Sequence, residues 1–462
     1  MSYPAYSEYK DSGVDWLREV PVHWAISALS RVLKCPVTDG PHSTPEFVDE
    51  GVPFLSVDGI QDGELFFDSC RYISTEDHKE FSKKASPRID DILMGKAASV
   101  GKIARVKTDV EFSIWSPLAL IRIDQLKALP EFCEYALKAE ESQYQISQKS
   151  NSNTQLNIGM KDIPKLRVCF PPLDEQNLIA IFLDHETARI DALVEEQQRL
   201  IALLKEKRQA VISHAVTKGL DPDVPMKDSG VEWLGEVPVH WEVVRVKHAA
   251  KLESGHTPNK EKAEYWDGSI PWVSLNDSKK LAQYDYIDET NFTISDLGIA
   301  NSSARLLPSR SVVFTRDATI GLAAITTKEM AVSQHLIAWL CHDEVVIPEY
   351  LLLVFYAMKE ELDRYTFGAT IKTIGMPDIR SLSMPLPSIS EQKEVIGYVF
   401  AERDRLDDLV AEAQKASRLL VERRSALISA AVTGKIDVRG WQPPEKLQAT
   451  NDTQKGHEAA AV

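Results

Sequence analysis

Apolar residues follow two different patterns along the chain. In residues 175–216 and 391–432 they recur at alternating spacings of three and four, with no proline and with Gly397 as the one glycine. This spacing predicts amphipathic α-helices. Asp174 and Ser390, just before these segments, are suitable N-cap residues. About 42 residues at 1.5 Å each predict helices roughly 63 Å long.

The apolar rows of both helices form a seam with polar interruptions, as in a coiled coil. The first helix leads from one globular part of the chain to the next, where the second helix begins. If the helices pair, they therefore pair in antiparallel orientation, and two heads lie apart on a spacer with pseudo-two-fold symmetry. Leucines such as Leu203 and Leu419 widen the stripe, which favours contact with other subunits. The predicted seam residues are Ile190, Val194, Ile201, Leu204 and Val211 in the first helix, and Leu406, Val410, Leu420 and Leu427 in the second.

Outside these helices, short runs rich in β-branched and aromatic residues alternate with turn residues. Runs such as "LALIRI" in the first half and "SVVFTR" in the second predict β-strands. One helix is expected after the strands of each half, over about 130–148 and 348–365. The predicted fold class is therefore α+β, with two heads that are each large enough for a core of their own.

The chain also carries one passage twice. "DSGVDWLREVPVHW" at 11–24 and "DSGVEWLGEVPVHW" at 228–241 are identical at twelve of fourteen positions. "PPLDEQ" and "PSISEQ" before the long helices match in the same way, whereas the stretches 25–150 and 242–366 have diverged. We infer that the flanking segments perform one task twice and that the two heads perform different tasks of one kind.

Composition and charge restrict the function. Of 462 residues, 44% are hydrophobic and 26% charged, as expected for a globular protein, and the formal net charge is −16. The acidic balance argues against nucleic-acid binding by the chain as a whole, because phosphate contacts need Lys and Arg. The five cysteines are far apart and form no metal-binding pattern. No apolar run approaches the roughly 18 residues of a membrane span, which predicts a cytoplasmic protein.

Motifs for catalysis are missing from the sequence. It contains no phosphate-binding loop of the G-x-x-x-x-G-K-[ST] type, no H-E-x-x-H and no G-x-S-x-G. His23 and His240 recur inside "VPVHW", where packing or turn roles are expected. A binding protein without catalytic activity is therefore predicted.

Basic residues cluster locally at corresponding places in the two heads. A solvated surface and a DNA contact both remain open for these clusters, and loops at Lys149 and Lys372 are open to the same two interpretations. Lys96 and Arg316 align with each other between a strand and a glycine turn, where they can reach guanine edges or phosphates. The candidate DNA-binding residues are Lys83, Lys84, Arg88, Lys96, Lys102, Arg105 and Lys149 in the first head, and Arg305, Arg310, Arg316, Asp317 and Lys372 in the second.

The repeated "DSGV-W-VPVHW" passage, the starts "PPLDEQNLI" and "SISEQKEVI", and the twofold repeat together resemble the specificity subunit of type I restriction–modification systems. The similarity covers nearly all of 1–440. It implies two target-recognition domains that read the halves of an asymmetric, split site in double-stranded DNA, separated by two long antiparallel helices. It also implies docking of two methyltransferase (modification) subunits and a restriction/translocase subunit. S-adenosylmethionine, ATP and Mg²⁺ are then expected on those partners, with no cofactor in this chain.

On this resemblance the chain divides into seven segments. They are an N-terminal repeat segment (1–24), target-recognition domain 1 (25–172), the first spacer helix (173–217), a connector with the second copy of the repeat (218–241), target-recognition domain 2 (242–388), the second spacer helix (389–433) and a polar, disordered tail (434–462).

Three other interpretations remain open. They are a nucleic-acid-modifying enzyme, a scaffold that joins two protein-binding heads without a DNA role, and a specificity chain of a related system with fused nuclease and methylase. The sequence does not reveal the DNA site, its gap length or the residues that contact bases.

Overall fold

The computed structural model describes residues 3–152, 156–366 and 372–442. Contacts divide the chain into two units, one of Met1–Gln197 with Lys415–Val462 and the other of Gln198–Gln414. Each unit therefore combines one head with the first part of one long helix and the last part of the other. Each unit contains both helices and strands, as the α+β prediction requires.

The first head and its preceding segment contain short strands and three helices before the first long helix. In chain order they are β1 (Tyr9–Asp11), β2 (Glu19–Pro21), β3 (Ala25–Ala28), β4 (Thr38–Asp39), β5 (Phe47–Val48), β6 (Val52–Leu55), β7 (Ile60–Gln61), β8 (Glu64–Leu65), β9 (Arg71–Ile73), α1 (Thr75–Ser82), β10 (Ile92–Gly95), β11 (Ile103–Arg105), β12 (Ser113–Ile114), β13 (Leu118–Ile121), α2 (Pro130–Lys138), α3 (Glu140–Lys149), β14 (Ser150–Ser152), β15 (Leu156–Ile158), β16 (Arg167–Phe170) and α4 (Leu173–Lys218).

The second half repeats this plan. Its elements are β17 (Met226–Asp228), β18 (Glu236–Pro238), β19 (Glu242–Arg245), α5 (Val246–Ala249), β20 (Ala250–Ser254), β21 (Trp266–Val273), α6 (Ser278–Gln283), β22 (Tyr286–Ile287), β23 (Phe292–Ile294), α7 (Asp296–Ala300), β24 (Val312–Thr315), β25 (Ala323–Thr326), β26 (Ala331–Val332), β27 (Leu336–Cys341), α8 (Pro348–Ala357), α9 (Lys359–Arg364), α10 (Met376–Ser381), β28 (Ser383–Leu386) and α11 (Ile389–Val432).

The sheets of the two heads have the same topology despite their diverged sequences. One sheet has the order β11-β10-β13-β4 in the first head, and β25-β24-β27-β20 follows the same order in the second, with β22 added. A second sheet in each head contains one parallel pair, β12 with β6 and β26 with β21. The repeat seen at the flanks therefore continues through both heads as a shared backbone frame.

The predicted helix after each set of strands is broken in two. Ala139 separates α2 from α3 with an extended backbone (ψ 150°), and Met358 separates α8 from α9. Gln143 donates a hydrogen bond of 2.8 Å to the Leu137 carbonyl, which the break leaves without an intrahelical partner. The expectation of single helices at 130–148 and 348–365 was wrong, and in the first head this side-chain bond stabilises the break.

The two long helices are confirmed. The predicted N-caps Asp174 and Ser390 were wrong, because each helix begins one residue earlier, and in the second it is the Ser388 hydroxyl that accepts from the Glu391 amide, at 3.3 Å.

The long helices contact each other within each unit. Asp191 pairs with Arg424 at 2.9 Å in the first unit, and Arg208 pairs with Asp407 at 2.8 Å in the second. In each unit the first part of one long helix therefore lies against the last part of the other, as antiparallel pairing requires. All nine predicted seam residues are buried or half-buried. Within the described residues, no helix has the length and apolar character needed to cross a membrane.

Residues just past the second long helix lie against the start of the chain. The Tyr9 hydroxyl donates to the Gly434 carbonyl at 2.9 Å, and the Asp437 amide donates to the Pro4 carbonyl at 2.7 Å. The ring of Trp441 packs edge-on against Phe182, 5.4 Å between centroids. The predicted tail at 434–462 is therefore packed over 434–442, and its remainder, 443–462, lies outside the described residues.

Candidate nucleic-acid interface

The repeated "VPVHW" passage binds the first turn of each long helix. In the first unit the Trp24 indole donates to the Glu175 carboxylate at 3.1 Å, and His23 lies 2.9 Å from the other oxygen of that carboxylate. The second unit repeats both contacts on Glu391, from Trp241 at 3.1 Å and from His240 at 2.6 Å. The histidines therefore have a structural partner, in accord with the packing role expected for them.

Hydrogen bonding changes the acidity of the second of these carboxylates. Burial acts to raise the pKa of Glu391, but bonds from His240, Trp241 and Ser388 outweigh it and lower the pKa to about 2. The carboxylate is therefore charged throughout the neutral pH range, and it fixes the repeated passage against the helix start.

The neighbouring glutamine in each "EQ" pair connects the long helix to its head. The Gln176 side chain accepts from the Leu129 amide at 2.8 Å and donates to the Pro171 carbonyl at 2.8 Å. Gln392 makes the same bonds to Ile347 and Pro387, at 2.9 and 3.0 Å. The sequence predicted only a helix start at "EQ". The repetition of Gln at the same position in the first turn of both long helices was the one signal for its contacts with the head.

The aligned residues Lys96 and Arg316 occupy equivalent backbone positions after β10 and β24. The Lys96 amide donates to Pro117 at 2.8 Å, and the Arg316 amide donates to His335 at 3.0 Å. Two residues further on, the backbone takes the left-handed conformation in both heads, at Ala98 (φ 64°) and at Ala318 (φ 63°). We call the region around Lys96 the first corner and the region around Arg316 the second corner.

A buried carboxylate organises the first corner. Asp39 is 5% exposed and binds the Lys84 ammonium at 2.5 Å and the Lys96 ammonium at 3.0 Å, with His42 at 3.2 Å. Burial acts to raise the pKa of Asp39, and the bonds from Lys84 and Lys96 outweigh it and lower the pKa. Two of the predicted DNA contacts thus come together, and Lys84 remains half-exposed whereas Lys96 is buried.

The second corner has different side chains on the same backbone. Asp317 is bonded to the His335 imidazole at 2.7 Å and to the Thr373 hydroxyl. The Arg316 guanidinium lies 3.6 Å from Asp317. The Lys372 carbonyl accepts from the Ala318 amide at 2.8 Å, and the Lys372 side chain is exposed. Arg316, Asp317 and Lys372 therefore meet at one place, although residues 367–371 of the adjoining loop are outside the described part.

Arg105 is engaged by acidic side chains of its own head. It lies 2.6 Å from Asp90, 3.2 Å from Glu131 and 3.2 Å from Glu134, and its side chain is 14% exposed. Burial acts to lower the pKa of the guanidinium, and the surrounding carboxylates, Glu131 first, outweigh it and raise the pKa. This network fastens β11 to α2, so a DNA contact by Arg105 would require breaking it.

The other candidates are distributed over the surfaces of their heads. Lys83 pairs with Glu80, the Lys102 ammonium donates to the Ile60 carbonyl at 2.8 Å, Arg305 pairs with Glu253, and Arg310 pairs with Glu349 at 2.9 Å. Arg88 is exposed and Lys149 is half-buried. None of these contacts tests DNA binding, which stays a prediction for all twelve residues. Among the described residues, no group of His, Cys, Asp or Glu is arranged to hold a metal ion.

Comparison with known proteins gives consistent results. The family model described as type I restriction modification DNA specificity domain matches residues 21–202 and again 238–411, more than half of the chain. A putative type I restriction enzyme specificity subunit, MjaX of Methanocaldococcus jannaschii, is 22% identical over 429 residues, which is 91% of this chain and 95% of that protein.

Two solved structures have a similar fold. One comes from work on complex assembly and conformational transition of the type I R-M system; it has a TM-score of 0.69 at 15% identity and covers 89% of this chain and 98% of its own. The other is the crystal structure of the HsdS subunit from Thermoanaerobacter tengcongensis, with a TM-score of 0.53 at 16% identity and coverage of 90% and 98%.

Proposed function

The chain belongs to the family of type I restriction–modification DNA specificity domains, of which it carries two copies, and on this premise we propose that its two heads read two unlike half-sites of one split DNA target. It is the recognition subunit of such a system, not a catalytic one.

The observation that carries this proposal is that the two heads share one backbone fold but differ in the side chains at the first and second corners. Both heads share strand order, loop conformation and the attachment through Glu and Gln to a long helix. Lys96 and Arg316 are at equivalent positions, but Lys96 shares Asp39 of β4 with Lys84, whereas Arg316 lies beside Asp317, which is bonded to His335. Since base edges are distinguished by donor and acceptor pattern, different side chains on one frame favour different half-site sequences.

Exchange of one head tests the proposal. Replacing residues 25–150 by the same segment of another family member is expected to change one half-site of the methylated sequence and leave the other unchanged. Replacing 242–366 is expected to change the opposite half. Methylation mapping of a host genome that expresses each chimera with its partner subunits measures this. A change in both halves from one exchange, or in neither, would contradict the assignment.

We further propose that the long helices dock two copies of one modification subunit. Leu203 and Leu419 occupy the same position of the repeat, one in each unit, and are 53% and 54% exposed. Burying a leucine side chain contributes roughly 1.5–3 kcal/mol, so two equally exposed leucines favour two equivalent docking sites. S-adenosylmethionine, ATP and Mg²⁺ would then be bound by the modification and restriction subunits, in the cytoplasm.

Native mass spectrometry of the purified complex measures the copy number. Leu203→Asp or Leu419→Asp alone is expected to remove one modification subunit, and the double variant is expected to remove both. The matched controls Leu203→Met and Leu419→Met keep an apolar side chain and should keep both copies. Retention of two copies in the double aspartate variant would refute docking at these positions.

A further inference from the structure

Three chain segments meet at each corner: the turn after β10 or β24, the link before β13 or β27, and the segment after β4 or β20. The link between β26 and β27 consists of Ser333, Gln334 and His335, and the link between β12 and β13 consists of Trp115, Ser116 and Pro117. The third segment begins with a glycine. A Cβ at Gly255 would lie 2.1 Å from the Ser333 carbonyl oxygen, and one at Gly40 would lie 1.8 Å from that of Ile114. Close backbone approach therefore holds each link in place.

A relay of hydrogen bonds orients Gln334 in the second corner. Asp317 is 14% exposed and accepts from the imidazole Nδ1 of His335 at 2.7 Å. A proton on Nδ1 leaves Nε2 as an acceptor, and the Gln334 Nε2 lies 3.2 Å from it. The Thr257 hydroxyl donates to the Gln334 Oε1. The amide is thus held from both ends, although Gln334 itself is exposed.

These bonds leave one hydrogen-bond donor and one acceptor of the Gln334 amide unused. A glutamine side chain has two N–H donors and an oxygen with two lone pairs. One donor is directed to His335 and one lone pair to Thr257, so one donor and one acceptor remain for an external ligand. A side-by-side donor and acceptor is the pattern that pairs with N7 and N6 of adenine in the major groove.

A cavity of about 550 Å³ adjoins Gln334 and His335 in the same head. Its walls include Trp266 and Trp272, which pack edge to face at 5.1 Å, and Phe292, which is 46% exposed. Ser333 is also among its lining residues. The exposed amide of Gln334 therefore adjoins an open cavity whose walls are partly aromatic.

We propose that Gln334 is a base-reading residue of the second head and that it recognises adenine in its half-site. His335 and Asp317 are positioning residues that act through the amide. The proposal rests on the proposed function, because it assumes that this head faces DNA. In the first head the equivalent position is Ser116, next to the lysines of the first corner, so the same site there reads a different base.

The test is methylation mapping of a host genome that expresses the full chain with its partner subunits. In Gln334→Ala we expect one A·T position of one half-site to become degenerate, with discrimination there falling about 10- to 100-fold, as for the loss of one bidentate base contact. Asp317→Asn is expected to weaken discrimination at that same position. Ser116→Ala should alter the other half-site only, and the exposed Gln283→Ala, in the same head, should change nothing.

The outcomes separate this proposal from the proposed function. An unchanged half-site in Gln334→Ala, while exchange of 242–366 still changes that half-site, would overturn the role of Gln334 and leave the head's function intact. Degeneracy at a G·C position would overturn the adenine assignment. If exchange of 242–366 also changed no letter, the proposed function itself would fail. Because Gln334 is exposed, folding of the variant is not threatened.

Discussion

Replacing Gln392 by alanine should loosen the attachment of the second head to its long helix. The side chain is fully buried and joins three backbone groups. It accepts from the Ile347 amide at 2.9 Å and donates to the carbonyls of Val345 at 2.9 Å and Pro387 at 3.0 Å. Alanine can replace none of these bonds.

The cost follows from the number of groups left without a partner. Each buried backbone group that loses its hydrogen bond costs about 1–3 kcal/mol. Because two of the three bonds are only part-buried, we take the low end of this range for each, and their loss lowers the local free energy of opening by about 3 kcal/mol. At about 1.4 kcal/mol per factor of ten, the opening equilibrium at the start of α8 should rise about 100-fold.

Hydrogen exchange of the full-length chain measures this directly, because it reports local opening without assuming two-state unfolding of a protein with two units. The backbone amides of residues 349–357 in α8 should exchange about 100-fold faster in Gln392→Ala. Gln176→Ala is the matched control, since it should accelerate exchange in Pro130–Lys138 of the first head and leave α8 unchanged. Unaltered exchange of α8 in Gln392→Ala would refute the reasoning.

Three further predictions concern Glu391, the length of the long helices and Arg105. The pKa of Glu391 in the folded protein, about 2, lies below its ordinary 4.5, so its bonds stabilise the second unit fully above pH 4.5 and are lost as the pH falls towards 2. In Glu391→Gln the stability of the second unit should therefore depend less on pH between 4.5 and 2, as measured by acid unfolding followed by tryptophan fluorescence. An unchanged pH profile would contradict this. One heptad inserted before Arg208 and another after Asp407 adds about 10 Å to each helix and should lengthen the unread gap by about three base pairs; new half-site letters in the methylation map would refute the spacer role. Arg105→Met should destabilise the first head by about 1.5–3 kcal/mol, since it removes charge-assisted hydrogen bonds to Asp90 and Glu134 while Glu134 keeps Lys138 as a partner. It should not change the salt dependence of DNA binding by the complex. If the slope of log binding constant against log salt concentration became shallower by about one in Arg105→Met, Arg105 would instead be a phosphate contact.

The long helices and the repeat were predictable because their signals are local and strong. A regular apolar spacing over about 42 residues, with no proline and at most one glycine within it, restricts the backbone to one conformation. The duplicated passage needed only a comparison of the chain with itself. The breaks at Ala139 and Met358 escaped prediction because the bond that stabilises the first of them, from Gln143 to Leu137, has no signature in helix propensity.

The arrangement of the corners depended on contacts between residues distant in sequence. Thr257, Asp317, Gln334 and Thr373 come from four separate segments, and nothing in their local sequence indicates that they form one hydrogen-bonded group. Local sequence also gave no sign that Arg105 is surrounded by three carboxylates. Periodicity and capping determine elements because they act within a few residues along the chain. Which side chains share a site depends on how sheets and loops pack, and that is a property of the folded structure alone.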